Sequence, residues 1–259
     1  NTTGGSNTAI GDKAMQNNTT GGPNVGVGAW ALKANTTGGQ NVAMGRDSLV
    51  TNTTGSCNTA LGDNALYANT TASDNVAVGS QALKANSTGT YNVGVGVSAL
   101  VSNTASYNSA VGYKALEMNT TGQYNTAVGY NALEANSTAS SNTAVGHAAL
   151  HDNTTGASNT AVGYEALGSC TTASQMCAFG YEALMTSDTE SYNNAFGYQA
   201  LKVANGGRFN TAIGWKVMAS LTTGDDNTGV GHDMMTSLTT GDSNTALGAN
   251  ALYSLTTAD

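Results

Sequence analysis

The chain has 259 residues, including 33 Gly and 1 Pro, and only 9% of its residues are charged. An ordinary soluble domain has about 25% charged residues and about 7% Gly, so this composition fits neither a typical enzyme nor a charged disordered tail. The formal net charge is −8, from 8 basic and 16 acidic residues without a Lys/Arg cluster, which argues against nucleic-acid binding. No apolar run approaches the roughly 20 residues that cross a bilayer, so no membrane partner is expected.

One glycine recurs through the whole sequence and sets the register of a repeat; we call it the marker glycine. Consecutive markers are 17 residues apart, except for one interval of 16 between Gly96 and Gly112. A short fixed period is typical of solenoids, so residues 1–259 are predicted to form a single array of fifteen coils. The marker glycines are Gly11, Gly28, Gly45, Gly62, Gly79, Gly96, Gly112, Gly129, Gly146, Gly163, Gly180, Gly197, Gly214, Gly231 and Gly248.

Each coil opens with an asparagine four residues before the marker, which we call the first Asn column. Asparagine tolerates left-handed backbone geometry, and identical amides stacked coil on coil form hydrogen-bonded ladders, so this column is interpreted as structural. Met176 is its one exception. The column comprises Asn7, Asn24, Asn41, Asn58, Asn75, Asn92, Asn108, Asn125, Asn142, Asn159, Asn193, Asn210, Asn227 and Asn244.

The next segment, clearest as Asn-Thr-Ala-Val-Gly-Tyr at 125–130, has the alternation and β-branched residues of a short strand. The residue before the marker is always apolar and the one before that is Ala or Gly, so both columns are predicted to be core. Neighbouring strand residues point to opposite faces, so both faces need burial. Either the coil has a wide interior, or the second face packs against another copy.

Aromatic residues collect directly after the marker and at the turn before the first Asn column. Such rows predict either contacts with a glycan, through the large rings, or simple stacking between coils. The candidates for glycan contact are Tyr113, Tyr130, Tyr164, Tyr181, Tyr198 and Trp215. The second group comprises Tyr91, Tyr107, Tyr124, Tyr192 and Phe209.

Further along each coil, a Leu or Met four residues after the marker is usually preceded by Ala. This Ala-Leu segment is either a second short strand or a single helical turn, and 17 residues leave too little chain for a helix pair. We favour a coil with two short strands. The fold class predicted is therefore all-β, a parallel β-solenoid or β-roll.

A second Asn column follows seven residues after the marker, as in Asn35 and Asn153, and most of its members begin an N-x-[ST] sequon. Because Leu221, Leu238 and Leu255 occupy the same column later, a turn or an inward ladder is favoured over a row of glycans. The adjacent Thr-Thr pairs would point to opposite faces, which weakens an interpretation as an ice-binding array.

Two cysteines, Cys170 and Cys177, lie in the one coil that has lost both asparagines, and a disulfide between them is a hypothesis. His147 and His151 are expected to be exposed on different edges of the coil rather than to bind a metal. No motif for nucleophilic, phosphate-transfer or zinc chemistry is present. The sequence therefore predicts no enzyme, no cofactor and no metal.

The unit Asn-Thr-Ala-Val-Gly-Tyr-x-Ala-Leu-x-x-Asn, clear at 125–136, resembles repeats of phage tail-fibre and bacterial surface-fibre proteins. More loosely it is similar to the head repeats of trimeric autotransporter adhesins, whose period is shorter. The resemblance covers the whole chain and implies a left-handed β-roll that assembles as a homotrimer.

The function expected is that of a structural fibre protein, a rigid extracellular or virion shaft or spacer with an adhesive role, and a segment of a longer fibre. Its expected partners are copies of itself, as a trimer or an end-to-end filament, and a cell-surface glycan. The alternatives are a glycan-binding module that uses the tyrosine rows, a self-assembling extracellular filament and, last, an ice-binding solenoid.

Overall fold

The computed structural model describes residues 2–187, 189 and 191–257. All regular structure in these residues is β-strand, and they include no helix long and apolar enough to cross a bilayer. The fold is a parallel β-solenoid with one short strand per coil. The strands are β1 (Thr8–Ile10), β2 (Val25–Val27), β3 (Val42–Met44), β4 (Thr59–Leu61), β5 (Val76–Val78), β6 (Val93–Val95), β7 (Ser109–Val111), β8 (Thr126–Val128), β9 (Thr143–Val145), β10 (Thr160–Val162), β11 (Cys177–Phe179), β12 (Asn194–Phe196), β13 (Thr211–Trp215), β14 (Thr228–His232) and β15 (Thr245–Ala249).

The chain divides into two compact units, Asn1–Ala127 and Val128–Asp259, with β8 at the division. In the first unit β1 to β7 pair with one another in chain order, all parallel and without a register shift, so that Ala60 lies opposite Ala77. The shorter interval between Gly96 and Gly112 does not disturb this pairing, because Gly94 still lies opposite Ala110.

In the second unit β9 to β15 pair in the same manner. The last three strands are five residues long and extend beyond the marker glycine, so that Trp215 lies opposite His232. The same coil therefore builds both units.

Alternation within each strand decides which residues form the core. The central Ala of β4 and β10 is fully buried, whereas the residues on either side of it point outward and are only half-buried. The small central residue is needed because the inside of the coil is narrow and is filled by the leucine column. The prediction that the apolar residue before the marker belongs to the core is wrong, since Met44 is 46% exposed and Ile213 41% exposed.

The Ala-Leu segment is neither a second strand nor a helical turn, as the sequence had suggested, but a run of β-turns. In the coil of Gly28, the amide of Ala31 donates to Gly28, that of Lys33 to Trp30, and that of Asn35 to Leu32. Trp30 and Leu32 have φ values of 65° and 52°, the left-handed conformation that a type II turn requires at its third residue. Alternating left-handed residues turn the chain within a few positions.

Leucine in a left-handed conformation costs about 1–2 kcal/mol, yet it recurs at this position in coil after coil. Complete burial of the side chain offsets that cost by about 1.5–3 kcal/mol, and Leu32 is fully buried. Its amide also donates to the carbonyl oxygen of Ser48 in the next coil, at 3.0 Å. Burial and the bond between coils therefore select leucine despite its backbone preference.

Candidate functional site

Seven aromatic rings stack face to face along the second unit, in the column directly after the marker. Centroids of neighbouring rings are 4.2 Å to 6.5 Å apart and their planes differ by 9° to 22°. The stack comprises Tyr130, His147, Tyr164, Tyr181, Tyr198, Trp215 and His232. Five of these seven rings were predicted from the sequence. The other two are the imidazoles of His147 and His232.

The stack leaves ring edges, not ring faces, exposed to solvent. Tyr164 is 40% exposed and Tyr181 43% exposed, but each has a neighbouring ring on both faces. A sugar that stacks on an aromatic residue needs an accessible ring face, so this geometry counts against the glycan contacts expected of these residues. Tyr113 belongs to the first unit, where it is 43% exposed with the ammonium group of Lys114 5.8 Å from its ring.

Carboxylates lie beside two of the stacked tyrosines. A hydrogen bond to Glu165, followed by the charge of that carboxylate, raises the pKa of the Tyr164 hydroxyl. Burial and then the charge of Glu182 raise the pKa of Tyr181. The two carboxylates differ, because the Glu182 side chain also accepts from Lys202 at 2.6 Å and Gln199 at 2.8 Å, which lowers its pKa.

The second aromatic group stacks in the same way at the turn before the first Asn column. Centroids are 5.3 Å apart between Tyr91 and Tyr107 and 5.2 Å apart between Tyr107 and Tyr124. In the second unit, Tyr192 and Phe209 are 5.0 Å apart. Stacking of like rings at successive coils stabilises neighbouring coils by about 0.2–1 kcal/mol per pair.

The first Asn column lies inside the coils and connects them through its side-chain amides. Asn58 shows the pattern: its Oδ1 accepts from the backbone amide of Asn75 at 3.1 Å, and its Nδ2 donates to the carbonyl oxygen of Ala72 at 2.8 Å. Nδ2 also lies 3.2 Å from Oδ1 of Asn41. Where Met176 replaces asparagine, its sulfur accepts from the amide of Asn193 at 3.4 Å. These asparagines are structural because their polar atoms serve the fold.

The second Asn column forms a second buried ladder. In Asn35, Nδ2 donates to Oδ1 of Asn18 at 2.8 Å and to the carbonyl oxygen of Gly38 at 2.9 Å, and the residue is fully buried. An N-glycan attaches to this nitrogen, so Asn35 is inaccessible to glycosylation in the folded chain. The inward ladder favoured from the sequence therefore describes this column.

Threonines next to the second ladder point in different directions. The Thr36 hydroxyl donates to the carbonyl oxygen of Thr53 at 3.0 Å, whereas Thr37 is exposed. Only one hydroxyl of such a pair is left for water, so the flat, two-rank array of an ice-binding face does not arise here.

In each unit, the outward first and third positions of the strands carry no charged residue. Residues at the first and third positions of β1 to β15 point outward and are Thr, Ser, Asn, Cys or apolar. Several large apolar side chains are exposed there, among them Met44, Val111 and Ile213, and Phe179 stacks on Phe196 at 5.2 Å. All 24 charged residues, 8 basic and 16 acidic, lie elsewhere. We call this surface the strand face.

A cleft of about 350 Å³ opens in the second unit, where Gly168 and Ala148 leave the turn surface without long side chains. Its lining includes His147 and His151, so the prediction that these histidines occupy different edges is wrong. His151 is held between Asp152 at 2.6 Å and Glu134 at 3.0 Å. Among the described residues, no three His, Cys, Asp or Glu side chains are grouped as a metal ion requires.

Cys170 and Cys177 do not form the predicted disulfide; each keeps its thiol. Cys170 is buried in the second ladder, where its Sγ lies 3.7 Å from the carbonyl oxygen of Ala173. Cys177 is the first, outward residue of β11, and burial raises the pKa of its thiol. The two side chains point in opposite directions because one belongs to a turn ladder and the other to the strand face.

Replacement of Cys170 by asparagine is expected to stabilise the chain. Oδ1 of Asn153 is buried without a hydrogen-bond partner, and the next member of its column, Cys170, has a thiol in place of an amide donor. Cys170→Asn supplies a donor and should raise the free energy of unfolding by about 1 kcal/mol, measured by guanidinium denaturation. Cys170→Ala, which adds no donor, is the control; equal stability of both variants would refute the explanation.

Two features of this surface were not predicted from the sequence. His147 and His232 occupy the aromatic column, and simple spacing from the marker glycine would have found them. The cleft depends on Gly168, which stands where neighbouring coils have His151 and Met185; loss of a side chain at one coil is visible in the sequence only once the turn geometry is known.

No protein-family model, curated protein or solved structure matches this chain.

Proposed function

We propose that the chain is the structural shaft or spacer of an extracellular or virion fibre, and that it assembles with copies of itself through the strand face. It has no catalytic role in this proposal. The observation that carries it is the strand face itself: an uncharged surface with exposed apolar residues in both units. Exposed apolar side chains grouped on one surface are typical of interaction sites.

A second copy of the chain is the partner that fits this face best. Successive coils present the same outward positions at the spacing of hydrogen-bonded strands, about 4.8 Å, and another copy presents rows of the same spacing. The excess of negative charge lies outside the face, so copies can approach without bringing like charges together. Self-complementary patches are the usual basis of homo-oligomers.

The interior of each coil supports a mechanical role. Two buried asparagine ladders and the leucine column join each coil to its neighbours. In such repeats every coil contacts only adjacent coils, and stability accumulates along the array. A spacer needs this property and needs no ligand pocket.

Met44→Lys tests the proposal, with Met118→Lys as the matched control. Both methionines belong to the first unit and are exposed, 46% and 55% respectively, but Met44 lies on the strand face and Met118 on the turn surface. A lysine without a partner inside an apolar interface costs at least about 2 kcal/mol, so Met44→Lys should weaken association about 30-fold or more. Sedimentation equilibrium over a range of concentrations measures this change.

The expected result is an oligomer for the native chain and for Met118→Lys, and a shift toward the monomer for Met44→Lys. A native chain that is monomeric throughout, or equal association of both variants, would contradict assembly through the strand face.

A further inference from the structure

The aromatic stack of the second unit contains four adjacent rings that lose an electron more easily than other side chains do. Tyr164 and Tyr181 are 5.0 Å apart, Tyr181 and Tyr198 5.3 Å, and Tyr198 and Trp215 4.2 Å, with planes within 12° of parallel. Rings in contact along a rigid backbone have the overlap that electron transfer needs. Imidazoles, which are harder to oxidise, bound the four rings at both ends, in His147 and His232.

We propose that these four rings form a relay along which a one-electron oxidation moves from Trp215 to Tyr164. We assign the point of entry to Trp215, which lies at one end of the four rings and at 46% exposure is accessible to a diffusible radical oxidant. The activity is independent of assembly through the strand face, since the relay lies within one chain.

Glu165 makes Tyr164 the end of the relay, because a tyrosine that loses an electron must also lose its phenolic proton. Glu165 follows Tyr164 directly in the chain, its carboxylate is the first cause of the raised pKa of the Tyr164 hydroxyl, and the sequence has no Lys or Arg between residues 115 and 201 that would neutralise this carboxylate. At Tyr181 the corresponding carboxylate, Glu182, is already bonded to Lys202 and is the poorer proton acceptor.

The transfer conserves electrons and protons at every step. The oxidant takes one electron from the Trp215 indole and is reduced, and the indole proton passes to water. One electron then moves from Tyr164 through Tyr181 and Tyr198 to Trp215, whose nitrogen regains a proton from water. The phenolic proton of Tyr164 moves to Glu165. The products are the reduced oxidant, a neutral tyrosyl radical at Tyr164 and a neutral carboxylic acid at Glu165.

Pulse radiolysis with azide radical tests the relay. The protein carries Trp30→Phe, so that Trp215 is the remaining tryptophan of the two in the chain. The tryptophanyl absorption should decay as the tyrosyl absorption grows, at a rate independent of protein concentration. Tyr198→Leu lengthens the gap by one coil of about 4.8 Å and should slow the transfer on the order of a hundredfold, because tunnelling falls off exponentially with distance.

Tyr192→Leu is the matched control, since it removes a stacked tyrosine of the same unit that belongs to the other aromatic group. A transfer rate proportional to protein concentration, or one that is equal in the Tyr198→Leu and Tyr192→Leu variants, would overturn the relay.

Glu165→Gln tests the end of the relay without removing a ring. Trapping of the radical with a nitrosoalkane, followed by peptide mass spectrometry, should locate the adduct at Tyr164 in the Trp30→Phe protein. In Trp30→Phe with Glu165→Gln, the adduct should move to Tyr181 or Tyr198, because the proton acceptor is gone. An adduct that never forms at Tyr164, or that stays there in the glutamine variant, would overturn the assignment of Glu165.

Discussion

Gly96→Ala is expected to lower the free energy of unfolding by at least about 3 kcal/mol. Gly96 is a marker glycine with φ of 137°, a conformation that L residues rarely adopt. A Cβ at this position would also overlap the carbonyl oxygen of Gly112 in the next coil. That oxygen is backbone and cannot move without breaking the stacking of the coils.

Gly94→Ala is the matched control, two residues away in β6. There a Cβ would meet the carbonyl oxygen of Ala99 and a side-chain atom of Leu83, both at 3.3 Å, which is tight but not an overlap, and most other coils have Ala at this position. The change should stay within about 1 kcal/mol of the native stability. Guanidinium denaturation measures both variants; similar losses at both positions would show that the marker glycines are not selected by the backbone.

Asn58→Asp is expected to be nearly as harmful at neutral pH. The substitution keeps the shape of the side chain but replaces its Nδ2 donor with an oxygen that faces the acceptors of Ala72 and Asn41. A fully buried charge without a partner costs about 3–5 kcal/mol, and Asn58 is fully buried. Asn17→Asp, at an exposed position of the same unit, should change stability by less than about 0.5 kcal/mol.

The loss of stability in the Asn58→Asp variant should depend on pH with a definite sign. Burial among acceptors raises the pKa of the introduced carboxyl group in the folded state, so the folded chain binds the proton more tightly than the unfolded chain does. Stability therefore falls as pH rises above the unfolded pKa, and acid restores part of it because the protonated group donates to Ala72. A destabilisation independent of pH would refute this account of the ladder.

Much of the coil could be predicted from the sequence because the marker glycine aligns every position. The Ala-to-Val alternation indicated the strand, and the nearly unbroken first Asn column indicated a ladder. The turn after the marker could not be predicted, since leucine seldom adopts a positive φ and propensity favours strand or helix for Ala-Leu. Leucine is favoured at this position because the Leu32 amide donates a hydrogen bond to the next coil and because the Leu32 side chain is fully buried.

Functional surfaces were harder to predict than the coil. The apolar residue before the marker looked like core in each single repeat, and only the narrow interior shows that it must lie outside. The tyrosine rows suggested sugar contacts, but parallel stacking at 5.0 Å between Tyr164 and Tyr181 covers the faces that a sugar would need. Spacing along a sequence cannot tell whether a ring presents its face or its edge.

Cryo-electron microscopy of the native assembly tests the proposed function most directly, because a cross-section shows how many chains are present and what covers each surface. We expect two or more chains with their strand faces, including Met44 and Ile213, turned toward one another and their charged turns toward solvent. Single chains whose strand faces remain open to solvent, or chains joined through the charged turns, would contradict it.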